Sequence, residues 1–194
     1  MAYLDAAILK EYGGVSGAAD DALITALITR AQKYIESYTG RTFEASTNTT
    51  RRFTVGEDTD GRMLYFDSDL CSINAIVTNA DGDSPTTLTT SEYVTHPRNI
   101  TPYYAIELLP SGNKSWEYTD DPQMGITVSG KWAYSTSAPD DIKHACVRLV
   151  NYFYHQKDSG VYDITALPAE GALIVPQGIP KDVALILRTY IRHL

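Results

Sequence analysis

Positive charge is the scarce class in this chain. Lys and Arg number 16 against 24 Asp and Glu, a formal net charge of −8 at pH 7. Proteins that grip nucleic acid do so with clustered cations that displace counterions from phosphate. Here the cations are scattered, with Arg51-Arg52 and Arg188/Arg192 as the close pairs, so phosphate binding is excluded as the main function. Cysteine is nearly absent: Cys71 and Cys146 lie far apart, match no metal or redox spacing, and are expected to be buried free thiols. No run of about 18 apolar residues exists, so no membrane-spanning helix is expected. The opening MAYLDAAILKEY lacks a basic leader region and is broken by Asp5 and Lys10, so it is not read as a signal peptide.

Catalytic chemistry is missing as well. His96, His144, His155 and His193 are spread out, and the two on one helix stand too far apart to share an ion. Asp58-Thr59-Asp60-Gly61 resembles the start of a calcium loop, but Gly61 falls at the fourth position and Arg62 at the fifth, so a hairpin turn is expected. Gly13-Gly14-Val15-Ser16-Gly17 follows a helix and lacks the lysine of a phosphate loop. No catalytic residue, metal ligand or cofactor site is predicted, and the chain is not read as an enzyme.

What is present begins with the stretch 20–41, DDALITALITRAQKYIESYTGR. Leu23, Leu27, Ala31, Tyr34 and Tyr38 recur at helical spacing, and Ile24, Ile28 and Ile35 widen the stripe. Asp20 and Asp21 suit the positive end of the helix dipole. Gly40 is placed to end the helix in the left-handed conformation. A shorter helix is expected over 3–12, ended by Gly13-Gly14. From about Ala45 to Thr136 the composition turns to Thr, Ser, Tyr and Val, with strands expected over 49–55, 62–67, 73–79, 91–96, 103–109 and 125–134. Asp60-Gly61 and Asp81-Gly82 are turn signals between them.

Helix returns over 137–158, with Pro139 at its first turn and Ile142, Cys146, Leu149 and Phe153 as its buried stripe. The opening Pro139-Asp140-Asp141-Ile142 is echoed by Pro180-Lys181-Asp182-Val183, which starts a last helix with the stripe Val183, Leu187, Tyr190/Ile191 and Leu194. The fold class is therefore α+β: a small bundle of about four helices, with an antiparallel β-rich insertion between the second and third. Residues 1–44 and 137–194 form the helical body and 45–136 the insertion.

Two stretches point beyond a plain globule. The apolar loop 158–179 carries Val161, Tyr162, Ile164, Leu167, Leu173, Ile174 and Val175, more apolar surface than a loop normally exposes. It either covers the chain's own core or is held by another chain. The polar side of the central helix carries Arg30, Lys33, Glu36 and Arg41. It is either a solvated face or, in a ring, a contact with the next subunit.

The central helix ends in Ile35-Glu36, Tyr38-Thr39-Gly40-Arg41 and Phe43. With Ala138-Pro139-Asp140-Asp141-Ile142-Lys143, Ala145, Pro180, Asp182-Val183 and Arg188-Thr189-Tyr190, this resembles the gp6-like head-tail connector (adaptor) proteins of tailed phages. The resemblance covers the helical parts, roughly half the chain. It implies a structural virion protein at the neck: a homo-oligomeric ring, dodecameric, beneath the portal protein, assembled in the host cytoplasm. It further implies a tail-side neck partner (stopper or tail terminator) and a lumen that passes DNA without reading its sequence. By that resemblance the apolar loop would order on the portal. The alternative from another class is a virion-associated binding module, with the β insertion holding a ligand or carbohydrate.

Overall fold

The computed structural model describes residues 3–13, 20–159, 165–166, 173–174 and 179–192. The chain divides into two compact units. One is continuous, 42–138; the other joins 2–41 to 139–194.

The discontinuous unit is helical, with α1 Ala6–Gly13, α2 Asp21–Thr39, α3 Asp140–Ser159 and α4 Lys181–Arg188. Along α2 the buried positions are Ile24, Ile28, Ala31, Ile35 and Thr39, a run that keeps one helical face inward. The stripe read from the sequence was centred one residue away, since Leu23, Leu27, Tyr34 and Tyr38 are only half-buried flanks. The β-branched isoleucines take the centre, and Tyr34 and Tyr38 stack on each other at 6.3 Å beside it. α2 packs on α3, where Ile142, Ala145, Cys146, Leu149 and Val150 are fully buried. Each such Ile or Leu contributes about 1.5–3 kcal/mol, so this seam dominates the unit. Gly40 ends α2 at φ 67°, as expected, and its N–H reaches the Glu36 carbonyl at 2.9 Å.

The two later helices start at the echoed prolines, but each proline sits one residue outside the helix and not at its first position. The Pro139 and Pro180 carbonyls accept from the Lys143 and Ala184 N–H groups, both at 3.0 Å. The last helix is shorter than its pattern. It stops at Arg188, where the Thr189 and Tyr190 N–H groups turn back to the Ile186 and Leu187 carbonyls. The chain then leaves to serve the end of α2. The Arg192 N–H donates to the Thr39 carbonyl at 2.9 Å, and Arg41 Nε donates to the Tyr190 carbonyl at 2.8 Å. Helix ends leave carbonyls without partners, and here the two ends supply each other. Tyr190 and Ile191 therefore do not extend the α4 stripe.

The continuous unit is two antiparallel four-stranded sheets. Its strands are β1 Thr49–Phe53, β2 Thr59–Asp60, β3 Met63–Leu70, β4 Ser72–Thr78, β5 Thr86–Thr87, β6 Tyr93–His96, β7 Tyr103–Leu108 and β8 Ile126–Lys131. They are ordered β1-β8-β4-β5 and β2-β3-β7-β6. Inward residues of both sheets share one core that includes Phe53, Leu64, Phe66, Leu70, Ile76, Ile106, Val128 and Trp132. On β8 burial alternates strictly, and Gly130 takes an inward place where a Cβ would run into the Ser72 backbone and the Leu70 side chain. The Ser72 backbone belongs to β4, the neighbouring strand of the same sheet, and at this irregular point of the β4–β8 ladder it lies too close for any residue but glycine.

The six expected strands are all present. The two extra ones, β2 and β5, are two residues long, too short to show an alternating pattern. The Asp60-Gly61 signal marks the β2–β3 hairpin, with Gly61 at φ 58° and Asp60 opposite Met63. Asp81 does more than turn the chain. Its carboxylate accepts from the Thr119, Asp120 and Asp121 N–H groups at 2.7–3.0 Å, pinning a loop some forty residues on. Those bonds, led by the one from Asp121, hold its carboxyl below the usual range.

In the helical unit a two-pair antiparallel ribbon, β9 Thr165–Ala166 with β10 Leu173–Ile174, lies in the segment read as a structureless apolar loop. Two residue pairs leave no periodic trace in a sequence. Val161, Tyr162, Ile164, Leu167 and Val175 lie outside the described residues.

Candidate functional site

The polar face of α2 is engaged within its own unit. Arg30 lies over the Phe153 ring of α3, 4.5 Å from its centroid. Arg41 is bonded to the chain's last turn, as above. Glu36 gathers three donors: Tyr3 Oη at 2.8 Å, Gln32 Nε2 at 3.2 Å and Lys33 Nζ at 2.9 Å. The Lys33 side chain is 75% exposed and that of Glu36 15%. Arg30 and Lys33 are exposed, Glu36 and Arg41 are half-buried, and Arg41 lies just beyond the helix end. The sequence did not show that Tyr3 and Phe153, distant along the chain, would occupy two of them.

Burial alone would raise the Glu36 carboxyl, but the bonds from Lys33, Gln32 and Tyr3 outweigh it and hold the group below the usual carboxylate range. A carboxylate held low stabilises the fold above its unfolded value, near pH 4, and loses that contribution as pH falls through its folded value. Glu36→Gln should therefore cost about 1 kcal/mol at neutral pH and flatten the acid limb of the stability curve. An unchanged acid slope in urea titrations would refute the assignment.

Among the described residues, each unit has a recess on its surface. In the β unit, a cleft of about 550 Å³ opens at the Ser72 end of β4, between Cys71, Ser72 and Ile73 on one side and β6 with the loop after it (Tyr93, Thr95, Arg98, Asn99) on the other. In the helical unit, a groove of about 390 Å³ runs along α3 past Arg148, Tyr152 and His155 to Pro180. Arg148 donates to Asp182 at 2.8 Å, a bond that raises the guanidinium further, with Tyr12 assisting. The cleft joins residues from several separate stretches, so no local pattern announces it.

Charge is divided unevenly. Residues 42–138 hold thirteen acidic and six basic side chains, so the β unit carries −7 of the chain's −8. Cys146 is buried and its thiol is pushed up to about 12 by that burial. Cys71 is half-buried and donates to the Lys131 carbonyl at 3.3 Å. Among the described residues no group of three or more His, Cys, Asp and Glu is placed to hold a metal ion, and no helix is long and apolar enough to cross a membrane.

The family model described as "Head completion protein" matches residues 4–193. No curated protein matches the sequence. Solved structures do. One is the neck of an empty gene transfer agent (GTA) particle computed with C6 symmetry, at TM-score 0.63 and 16% identity over 99% of this chain and 92% of that one. Another is the virion of a native GTA particle, at TM-score 0.57 and 19% identity over the same shares. At these identities the likeness is one of fold, and it extends over both units.

Proposed function

Because the chain belongs to the head completion protein family, which is structural and not enzymatic, we propose that it sits at the neck of a phage-like particle and joins the DNA-filled head to the tail. The observation that carries this reading is a family match running through helices and β unit alike, where the residues quoted for the connector resemblance cover only the helices. The fold shared with a GTA neck chain supports the same location. Function here is assembly. Copies close head to tail into a ring through a heterologous interface, a dodecamer beneath the portal protein, with a stopper or tail terminator on the tail side. Arg30, Lys33, Glu36 and Arg41 face the next subunit, where charge fixes orientation more than affinity. The acidic balance suits a conduit, since a lumen that attracted phosphate strongly would retain the DNA it has to release. Deleting the chain from a producing strain should leave filled heads and finished tails that do not join. Joined particles of normal yield would overturn the proposal.

The portal contact is assigned to the apolar stretch Val161, Tyr162, Ile164, Leu167, Leu173, Ile174 and Val175. Each such side chain buried on a partner supplies about 1.5–3 kcal/mol, and a ring repeats the contact. Replacing Leu173, Ile174 and Val175 together by Ser should give a subunit with wild-type circular dichroism that no longer joins tails to heads. If the triple variant unfolds instead, the stretch belongs to the subunit's own core.

A further inference from the structure

The two ends of the β unit differ in a complementary way. Strand β4 runs from Ser72 at the cleft to Thr78 at the opposite end, about 20 Å away at the rise of a strand. At that far end three connections meet: 54–58 after β1, 79–85 after β4 and 117–125 before β8. They are tied by the Val55 N–H to the Pro122 carbonyl, the Ala80 N–H to the Gly125 carbonyl, and the Asp81 clamp. This tip exposes the acids Glu57, Asp83, Asp120 and Asp121. Among them stand two large apolar side chains, Tyr118 at 49% exposure and Met124 at 38%. Both flank Gly125, where a Cβ would press on the Tyr118 Cβ at 2.7 Å.

The cleft at the other end is the tip's inverse. Its lining includes Arg98 and no acid, within a unit whose charge is −7. Two phenol side chains, Tyr93 and Tyr103, with Ile73 and Val94 give it apolar and aromatic surface, and Thr95 and Asn99 add hydrogen-bonding groups. A volume of about 550 Å³ is in the range of cavities that take drug-sized groups, ample for one tyrosine side chain. Exposed aromatic residues entering recesses, with charges of opposite sign around them, are how protein interfaces gain affinity and orientation.

We infer that the tip of one copy, led by Tyr118 and ringed by Asp120 and Asp121, docks in the cleft of a second copy, with Arg98 meeting the acids. Two unlike surfaces on opposite ends of one unit make a heterologous contact, which propagates from copy to copy and closes when the rotation allows. This inference rests on the ring proposed above and supplies it with a contact between β units.

The native Cys71 in the cleft wall supplies the test. In assembled particles, full-length Tyr118→Cys should link to Cys71 of the next copy through a short bismaleimide at mildly alkaline pH, giving a ladder of multimers on denaturing gels. Adding Cys71→Ser should collapse the ladder to dimers at most. Arg98→Glu in the Tyr118→Cys background should lower the yield at least about tenfold, the effect of some 1.4 kcal/mol. Asp120→Arg with Asp121→Arg added should restore it. Circular dichroism of each free variant checks folding, and an amine crosslinker applied to the same particles reports the ring by itself. Amine-linked multimers without a Cys71-dependent ladder would overturn the docking contact and leave the ring standing. Absence of both kinds of multimer would overturn both.

Discussion

Trp132→Ala should cost about 3–5 kcal/mol, the range for removing a buried large aromatic, and it should do so in the β unit. Trp132 is 6% exposed and meets Phe66 edge-on at 5.3 Å between centroids, with Phe53 at 5.7 Å. Its Nε1–H donates to the Thr49 carbonyl at 3.0 Å, and Arg51 lies over its outer face at 4.6 Å while bonded to Asp67 at 2.7 Å. Truncation removes the ring contacts, leaves a cavity and strands the Thr49 carbonyl. Trp132→Phe keeps most of the volume and loses the N–H, so it should cost markedly less. Urea denaturation followed by near-ultraviolet circular dichroism measures both. A loss under 1 kcal/mol for the alanine variant would mean that the aromatic cluster is not the centre of this unit.

Leu149→Ala should cost about 2–5 kcal/mol in the helical unit. Leu149 is fully buried on α3, one turn from both Ala145 and Phe153. Its neighbours Ile142, Cys146 and Val150 are equally buried, so the site has little room to collapse into the space left behind. Leu27→Ala on α2 looks equivalent in the sequence, yet Leu27 is only half-buried and should cost clearly less than Ile28→Ala or Ile35→Ala. Chemical denaturation of the four variants orders them. If Leu27 proves as costly as Ile35, the inward face of α2 has been assigned one residue off.

What could be read from the residues alone follows from the range of the forces involved. Helix α2 and its glycine stop were legible, because apolar period, first-turn acid and left-handed cap are all local. The six longer strands were legible from composition and turn signals. The centre of the α2 stripe was missed by one position, because neighbouring apolar columns look alike until a partner helix selects one. The early end of α4 was missed for a different reason: the chain beyond it is bonded to Thr39 and Arg41, far away in sequence. The same holds for Asp81, whose role is fixed by a loop forty residues later. Of the surface groups, Arg30, Lys33, Glu36 and Arg41 lie close together in sequence and could be named from it, while the cleft, built from separate stretches, has no local signature.

The β unit enters and leaves its host chain at a single point. The Tyr134 N–H reaches the Thr42 carbonyl at 2.8 Å, the Ala45 N–H reaches the Ser135 carbonyl at 3.3 Å, and Glu44 pairs with Ser135 as a parallel bridge. The Phe43 and Tyr134 rings meet beside it, tilted by 46° with centroids 5.7 Å apart. Once folded, the unit therefore presents the host with two adjacent chain ends. The entropic penalty for joining α2 to α3 is then that of a short tether and not of the whole inserted length, since such penalties grow with the number of unconstrained residues. An insert of this kind is a cassette: its loops and even its strand count can drift, or be exchanged for another sandwich, while the junction continues to look like a tight turn to the helices.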